Sequence, residues 1–216
     1  MGSRRGIFVT LEGGEGSGKT TQSRRIVAYL RSRGREVLET REPGGTEAGE
    51  MIRDILLHRV ASLSPRAELA LYLASRSQLV EQIVRPKLEK GVDVICDRYT
   101  DSSTAYQGGG RELGIEFVEE LNDWATGGLE PDLTLYFDLP AATGLSRRGE
   151  AGDDEFDRIE REDLDFHERV SHAYRALAER HAQRFRVVST EGGEEAVWER
   201  VQRELDERLM KKETHS

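Results

Sequence analysis

The sequence predicts an α/β fold: one three-layer α/β/α domain over residues 1–216, built on a five-stranded parallel sheet. Two observations point there. Five short apolar runs alternate with stretches of helical periodicity along the whole chain, and strands that alternate with helices pair in parallel beneath helices on both faces. Between the first run and the first helical stretch stands Gly13-Gly14-Glu15-Gly16-Ser17-Gly18-Lys19-Thr20, the strand–loop–helix setting in which a phosphate-binding loop works.

Taken in order, Ile7-Phe8-Val9-Thr10-Leu11 is the first strand. The glycines after it let consecutive N–H groups turn inward around a phosphate at a helix N-terminus that already favours anions. Lys19 is placed to reach the β- and γ-phosphates and the Thr20 hydroxyl to ligate Mg²⁺, with Gly13 through Thr21 forming the triphosphate-binding segment. Thr20 to Arg33 carries Ile26, Val27 and Leu30 at helical spacing and closes at Gly34. Val37-Leu38 begins a second strand, followed by the turn-rich loop Thr40-Arg41-Glu42-Pro43-Gly44-Gly45-Thr46 at the strand's C-terminal end, the ligand-binding edge of an open α/β sheet. Glu47 to Leu57 reads as helix and includes Arg53.

Ser64-Pro65 opens the next helix, which Pro86 is expected to bend or end. Tyr72 and Arg76, four apart, share one of its faces, and spacing alone favours an Arg76 that snorkels to solvent. The third strand, Val92 to Cys96, ends at Asp97-Arg98-Tyr99, where a P-loop protein keeps its Mg²⁺-ordering carboxylate, here Asp97. Ser102 to Gly110 reads as polar and aromatic and then loose, and Ile115 to Trp124 as a helix with Trp124 in the core. Leu133 to Phe137 is the fourth strand. From Ala141 to Glu160 glycines and charges without an apolar face describe a mobile flap, with the lid proper at about 147–160. Helix resumes from about Arg161 to Gln183, carrying His167, His172 and His181 in surface or packing roles; Phe185 to Ser189 is the fifth strand and Glu194 to Lys212 the last helix.

Composition narrows the partners. With 36% hydrophobic and 34% charged residues the chain reads as soluble, and no apolar run approaches the ~18 residues of a membrane span. No signal-peptide pattern precedes the first strand, and the lone Cys96, read as a core residue, suits a reducing cytoplasm. A formal charge of −9 is the wrong balance for a nucleic-acid binder, so phosphate affinity has to come from arginines gathered locally.

Those arginines also choose among P-loop chemistries. A guanine-reading switch needs Asn-Lys-x-Asp, and the only asparagine, Asn122, precedes Asp123. A motor ATPase needs a second carboxylate after Asp97, and Arg98 stands there. A small-molecule kinase needs a second anion site, arginines joining two phosphates and a lid against water. Arg41, Arg53, Arg98, Arg147, Arg148 and Arg158 flank strand ends or lie in the flap and meet that need. An acceptor that is itself a phosphate is already an anionic nucleophile, so the task is to offset charge repulsion rather than to supply a base. A kinase for another nucleotide or nucleoside, and a nucleotide-binding module without turnover, are the competing readings.

Five motifs in order carry a more specific resemblance: Glu12 through Thr21, Thr40 through Thr46, Ala74-Ser75-Arg76, Asp97-Arg98-Tyr99 with Ala105-Tyr106-Gln107-Gly108, and Asp157-Arg158-Ile159-Glu160. Together they resemble thymidylate kinase over nearly the whole chain. The resemblance implies transfer of the γ-phosphoryl of ATP to dTMP, with Mg²⁺, by a cytoplasmic homodimer with a P-loop nucleotide kinase fold. It puts Arg98 and Arg53 on the dTMP phosphate, Tyr72 against the thymine ring, and Arg76, Ser103 and Gln107 on the base, which reverses the snorkelling assignment of Arg76. It implies that Glu15 takes the sugar 3′-hydroxyl, that Tyr106 crowds the 2′ position, and that Arg41 and Glu42 line the same loop. The P-loop holds no arginine, so the chain resembles the bacterial-type branch in which the lid supplies it: Arg147 or Arg148 is implied as catalytic, with Arg158 ordering the flap, although Gly149 to Asp157 is longer and more acidic than the usual lid.

Overall fold

The computed structural model describes residues 5–150 and 157–214. Five strands, β1 (Phe8–Glu12), β2 (Val37–Arg41), β3 (Asp93–Asp97), β4 (Leu133–Asp138) and β5 (Phe185–Ser189), form one sheet in the order β2-β3-β1-β4-β5. Every pair is parallel, with Thr10 of β1 in register with Cys96 on one side and Thr134 on the other. The central strands are buried along their lengths, as parallel sheets require.

Strand alternation divides the core. Val9 and Leu11 pack with Ile26 and Leu30 of α1 (Lys19–Ser32) and Val201 and Leu205 of α9 (Gly193–Thr214) on one face. Phe8, Val94 and Cys96 face the other way, toward Leu79 of α3 (Pro65–Leu79), the π-helical turn Val80–Val84 and Leu88 of α4 (Arg85–Glu89). Tyr136 and Phe185 on that same side meet Phe166, Val170 and Tyr174 of α8 (Leu164–Arg180). Helices α2 (Glu47–Asp54) and α6 (Ile115–Thr126) pack along α3. Ser64 caps α3 by accepting from the Ala67 N–H, with Pro65 at the first turn as expected.

Four expectations are corrected. Pro86 does not end the helix: Val80–Val84 forms a wide turn that frees the backbone, and Pro86 falls in the first turn of α4, where its missing N–H is harmless. Thr100 to Gly110 is not loose; α5 (Thr100–Ser103) runs into a π-helical segment, Thr104–Gly110, that is largely buried. Its glycines are there for close approach, since a Cβ at Gly109 would lie 2.6 Å from the Ala173 Cβ and one at Gly110 2.6 Å from the Phe166 ring. Trp124, expected in the core, is 78% exposed on α6, whose buried face is instead Val118, Asn122 and Ala125. Residues Ala141–Glu150 of the expected flap form a helix, α7, while 151–156 and the side chain of Arg148 lie outside the described residues.

Candidate active site

A cavity of about 220 Å³ opens at the C-terminal edge of the sheet, where β1, β2 and β3 deliver their loops. It is lined at one end by Glu15, Lys19 and Thr20 and at the other by Tyr72, Arg76, Ser103 and Gln107, with Arg98 between them. Arg41, Glu42, Arg53, Asp97 and Tyr106 also line it, so the structure brings all ten expected substrate residues to one place.

Lys19 is buried and donates to the carbonyls of Gly13 (3.1 Å) and Gly14 (2.9 Å). Burial first, and then the charge of Arg98, push its pKa below the ordinary lysine value, while Glu15 and Asp97 oppose the shift. Arg98 follows β3 with φ +69°, a left-handed conformation unusual for a side chain of this size. That turn is fastened on both sides to β1: the Arg98 N–H donates to Leu11 O (2.9 Å) and the Tyr99 N–H to Glu12 Oε1 (2.8 Å). The guanidinium it projects pairs with Glu15, donates to Gly13 O (3.1 Å) and lies 5.1 Å from the Tyr106 ring centroid. Burial works against its charge, but Tyr106 and Glu15 beside it hold its pKa above the ordinary range. Two cations thus rest on one P-loop carbonyl, a neutral acceptor that phosphate oxygens outcompete.

At the other end, α3 presents Glu68, Tyr72 and Arg76 on one face. Arg76 does not snorkel: it is 1% exposed, and its guanidinium makes four hydrogen bonds and an ion pair with buried neighbours. Nε and Nη2 bind Glu42 Oε2 (2.7 and 2.6 Å), Nη1 binds Ser103 Oγ (3.0 Å) and Asn122 Oδ1 (2.6 Å), and Nη2 also reaches Tyr99 O (2.9 Å). Burial raises the Glu42 pKa above the ordinary carboxylate value, with Arg76 opposing but not cancelling the shift. Gln107 donates its amide to Glu68 Oε1 (2.8 Å), which turns its carbonyl oxygen away from that carboxylate. Arg53 donates to Pro43 O (3.0 Å), and Arg41 pairs with Glu50 (3.0 Å).

The lid arginines separate. Arg158 does not line this cavity; its Nε donates to Leu56 O (3.0 Å) and its Nη1 to Glu68 Oε2 (2.6 Å), which anchors the far end of the expected lid. Arg147, exposed on α7, is carried next to the P-loop by Gly144, one helical turn earlier. A Cβ on Gly144 would lie 2.4 Å from Glu15 O, and one on Gly16 would meet Gly144 O at 2.6 Å and the Arg147 Cβ at 3.3 Å. Only glycine at both positions lets α7 seat on the loop. Gly144→Ala should therefore lower kcat by about 10²-fold, the scale of a ~1 Å misplacement, and lower Tm as well, because a clash with a backbone oxygen costs about 1–3 kcal/mol, more than the ~0.5–1 kcal/mol that alanine gains in a helix interior. Unchanged kcat would remove Gly144 from the site.

Reading the sequence missed Glu12, Glu68, Asn122 and Gly144. Glu68 had a signal, since Tyr72 and Arg76 follow it at i+4 and i+8 on one helix face; Glu12 had none, because a strand-end carboxylate is ordinarily solvated. Here it is 0% exposed and accepts from Tyr99 N, Ser102 Oγ (2.5 Å) and Tyr174 OH (2.9 Å). Burial, then Asp101, raises its pKa from 4.5 to about 8. A carboxyl with a raised folded pKa stabilises fully below its unfolded value and loses that contribution as pH rises through the folded one. Tm should thus fall between pH 5 and 8.5, and Glu12→Gln should flatten that slope in melts across a pH series.

Among the described residues no three His, Cys, Asp or Glu gather as a metal cage. Thr20 and Asp97 nonetheless fit Mg²⁺, which takes few protein ligands and keeps phosphates and water for the rest: both line the cavity, and Asp97 Oδ1 is buried with no hydrogen-bond partner.

Comparison with known proteins bears on this arrangement. A family model described as thymidylate kinase matches residues 11–201. The chain belongs to the thymidylate kinase family. A thymidylate kinase from Clavibacter sepedonicus is 50% identical over 183 residues, covering 85% of this chain and 86% of the relative. One from Leifsonia xyli subsp. xyli is 48% identical over 207 residues, covering 96% and 98%. The crystal structure of thymidylate kinase from Ehrlichia chaffeensis matches with a TM-score of 0.77 at 30% identity, covering 94% of this chain and 99% of that one. The α/β P-loop kinase fold expected from the sequence is that of the family, and the five-stranded parallel sheet agrees with it. No helix among the described residues is long and apolar enough to cross a membrane.

Proposed function

We infer that the protein transfers the γ-phosphoryl group of ATP to dTMP, giving dTDP and ADP. The observation that carries this reading is a single cavity with a phosphate loop at one end, a polar pocket framed by Tyr72, Arg76 and Gln107 at the other, and Arg98 between them. Family membership supports it.

Residues Gly13 to Thr21 bind ATP, with Lys19 on the transferring group. The dTMP phosphate lies on Arg98 and Arg53, where its oxygen is already a nucleophile and needs no base. Tyr72 covers the ring, and Ser103 and Gln107 meet the base edge. Arg76, its donors spent on Glu42, Ser103 and Asn122, holds that edge rigid and offers the base a shared hydrogen. Glu15 takes the 3′-hydroxyl and Tyr106 crowds the 2′ position; Arg41 and Glu42 hold the loop around them. Arg147 is the lid arginine that α7 places beside the loop, Arg148 being its alternative, and Arg158 pins the lid's far end. Thr20 and Asp97 hold Mg²⁺, which would neutralise charge on the phosphate oxygens when bound.

The chain acts as a single domain in the cytoplasm, and as a homodimer. Supporting the last point, the packed helices α2, α3 and α6 carry exposed Met51 (67%), Trp124 (78%), Ala67, Ala70 and Ala74. Light scattering of the purified protein should give twice the chain mass, 24.4 kDa.

A coupled assay across dTMP, dUMP, AMP, GMP, CMP and thymidine tests the function, with dTMP expected to be the preferred acceptor. A preference for another acceptor would make this a different kinase of the same fold, and ATP binding without product would make it a binding module. Arg76→Ala should raise KM for dTMP far more than KM for ATP; equal effects would make Arg76 purely structural.

A further inference from the structure

Beside the active-site cavity, and sharing Leu57 with it, lies a second cleft of about 710 Å³. Its walls include His58, Arg59, Arg111, Arg158, Arg161 and Glu162. The walls alone set four arginines against one carboxylate, in a chain of charge −9. Three nearby acids offset three of these charges and leave one, that of Arg161. Glu162 is held by Arg111 (2.6 Å) and Asp54 by Arg59 (2.6 Å), and Arg161 has no ion pair among the described residues. Glu68, 0% exposed, is a single carboxylate shared by Arg158, Arg111 and the Gln107 amide.

Arg158 is the informative member. Its side chain is only 9% exposed, and with Nε on Leu56 O and Nη1 on Glu68, its Nη2 is buried without a partner. An unmade hydrogen bond on a buried cation is unfavourable, and structures rarely retain one without a use. A guanidinium with a donor still unmade, on a cleft wall beside further arginines, matches the oxygens of a phosphate once its Nη2 turns toward them.

We propose that this cleft is a second anion site, which takes a phosphate-bearing ligand on Arg158 and Arg161 and communicates with the base end of the active site through Glu68. An anion there draws donors from Arg158 and Arg111, and Glu68, which holds both of them and Gln107, responds. The communication rests on the proposed contact between Gln107 and the base; the anion site itself does not.

Isothermal titration of inorganic pyrophosphate tests the site, at fixed free Mg²⁺, into enzyme saturated with a non-hydrolysable ATP analogue and dTMP so that the P-loop is filled. One equivalent should bind, and the double variant Arg59→Ala/Arg161→Ala should weaken it at least 10-fold while keeping wild-type turnover without pyrophosphate. No binding to wild type, or equal binding to the variant, overturns the site. If the double variant does not fold, Arg161→Gln alone serves, with the same direction expected. A parallel titration with dTTP separates the sources: binding at least 10-fold tighter than pyrophosphate marks a nucleotide ligand, and equal binding marks free phosphates. Through Glu68, pyrophosphate should raise KM for dTMP several-fold at saturating ATP in wild type and not in the double variant; an unmoved KM in wild type overturns the communication. Failure of the proposed function is told apart by the basal assay, which would then show no turnover with dTMP.

Discussion

Lys19→Ala should lower kcat by roughly 10²–10³-fold, the usual consequence of removing one preorganised donor from developing charge, while the protein melts within a few degrees of wild type. The two halves of this expectation come from the same geometry. The ammonium is buried and its contacts are the Gly13 and Gly14 carbonyls, both within its own loop, so no distant element depends on it. Its removal leaves Gly13 O with the Arg98 donor. The transferring phosphoryl group, by contrast, loses a charge held by the helix start that delivers the loop's N–H groups. Lys19→Arg keeps the charge but not the compact ammonium, and should recover only part of the rate. Steady-state kinetics with ATP and dTMP, beside a thermal melt, decides the matter: near-wild-type turnover in Lys19→Ala would end the assignment of this loop to phosphate transfer.

What could be read from the sequence follows the range of the forces involved. The P-loop was legible because everything it needs is local: a strand, glycines, a lysine and a helix start within fourteen residues, Leu11 being paired and Ile26 buried where expected. The strands were legible because a strand buried on both faces is a continuous apolar run. Trp124 and Gly108 to Gly110 were misread for one shared reason. Whether a large apolar residue is buried, or a glycine run ordered, depends on what packs opposite, and here that is α8 against the π-helical segment and nothing described against Trp124. The site residues fall between these cases. Tyr72, Arg76, Arg98 and Gln107 come from three separate segments, and spacing within each says little about their meeting; it was the family's motif order that placed them together, and the cavity agrees with that placement. Spacing alone sent Arg76 to solvent, because a helix face does not reveal that Glu42, Ser103 and Asn122 wait across it.

Arg98 offers the sharper test, because two variants separate its charge from its backbone. Arg98→Ala should cut kcat/KM for dTMP by about 10³-fold or more, on the scale of an arginine that stabilises a transferring phosphoryl group. Arg98→Gly should lose as much activity, since both remove the guanidinium and leave Glu15 without that partner. Their stabilities should differ. The φ of +69° is one that alanine adopts at a penalty of about 1 kcal/mol and glycine adopts freely. At this chain length ~1 kcal/mol moves Tm by about 2–4 °C, so the glycine variant should melt that much higher than the alanine variant. The turn has little freedom to relax instead, because the Arg98 N–H is bound to Leu11 O and the Tyr99 N–H to Glu12. An alanine variant as stable as the glycine one would mean that the backbone shifts out of the left-handed region at no penalty. With the expected difference, the conformation is one the fold imposes on an arginine in order to bring its guanidinium under the P-loop, and β1 holds it there through Leu11 and Glu12.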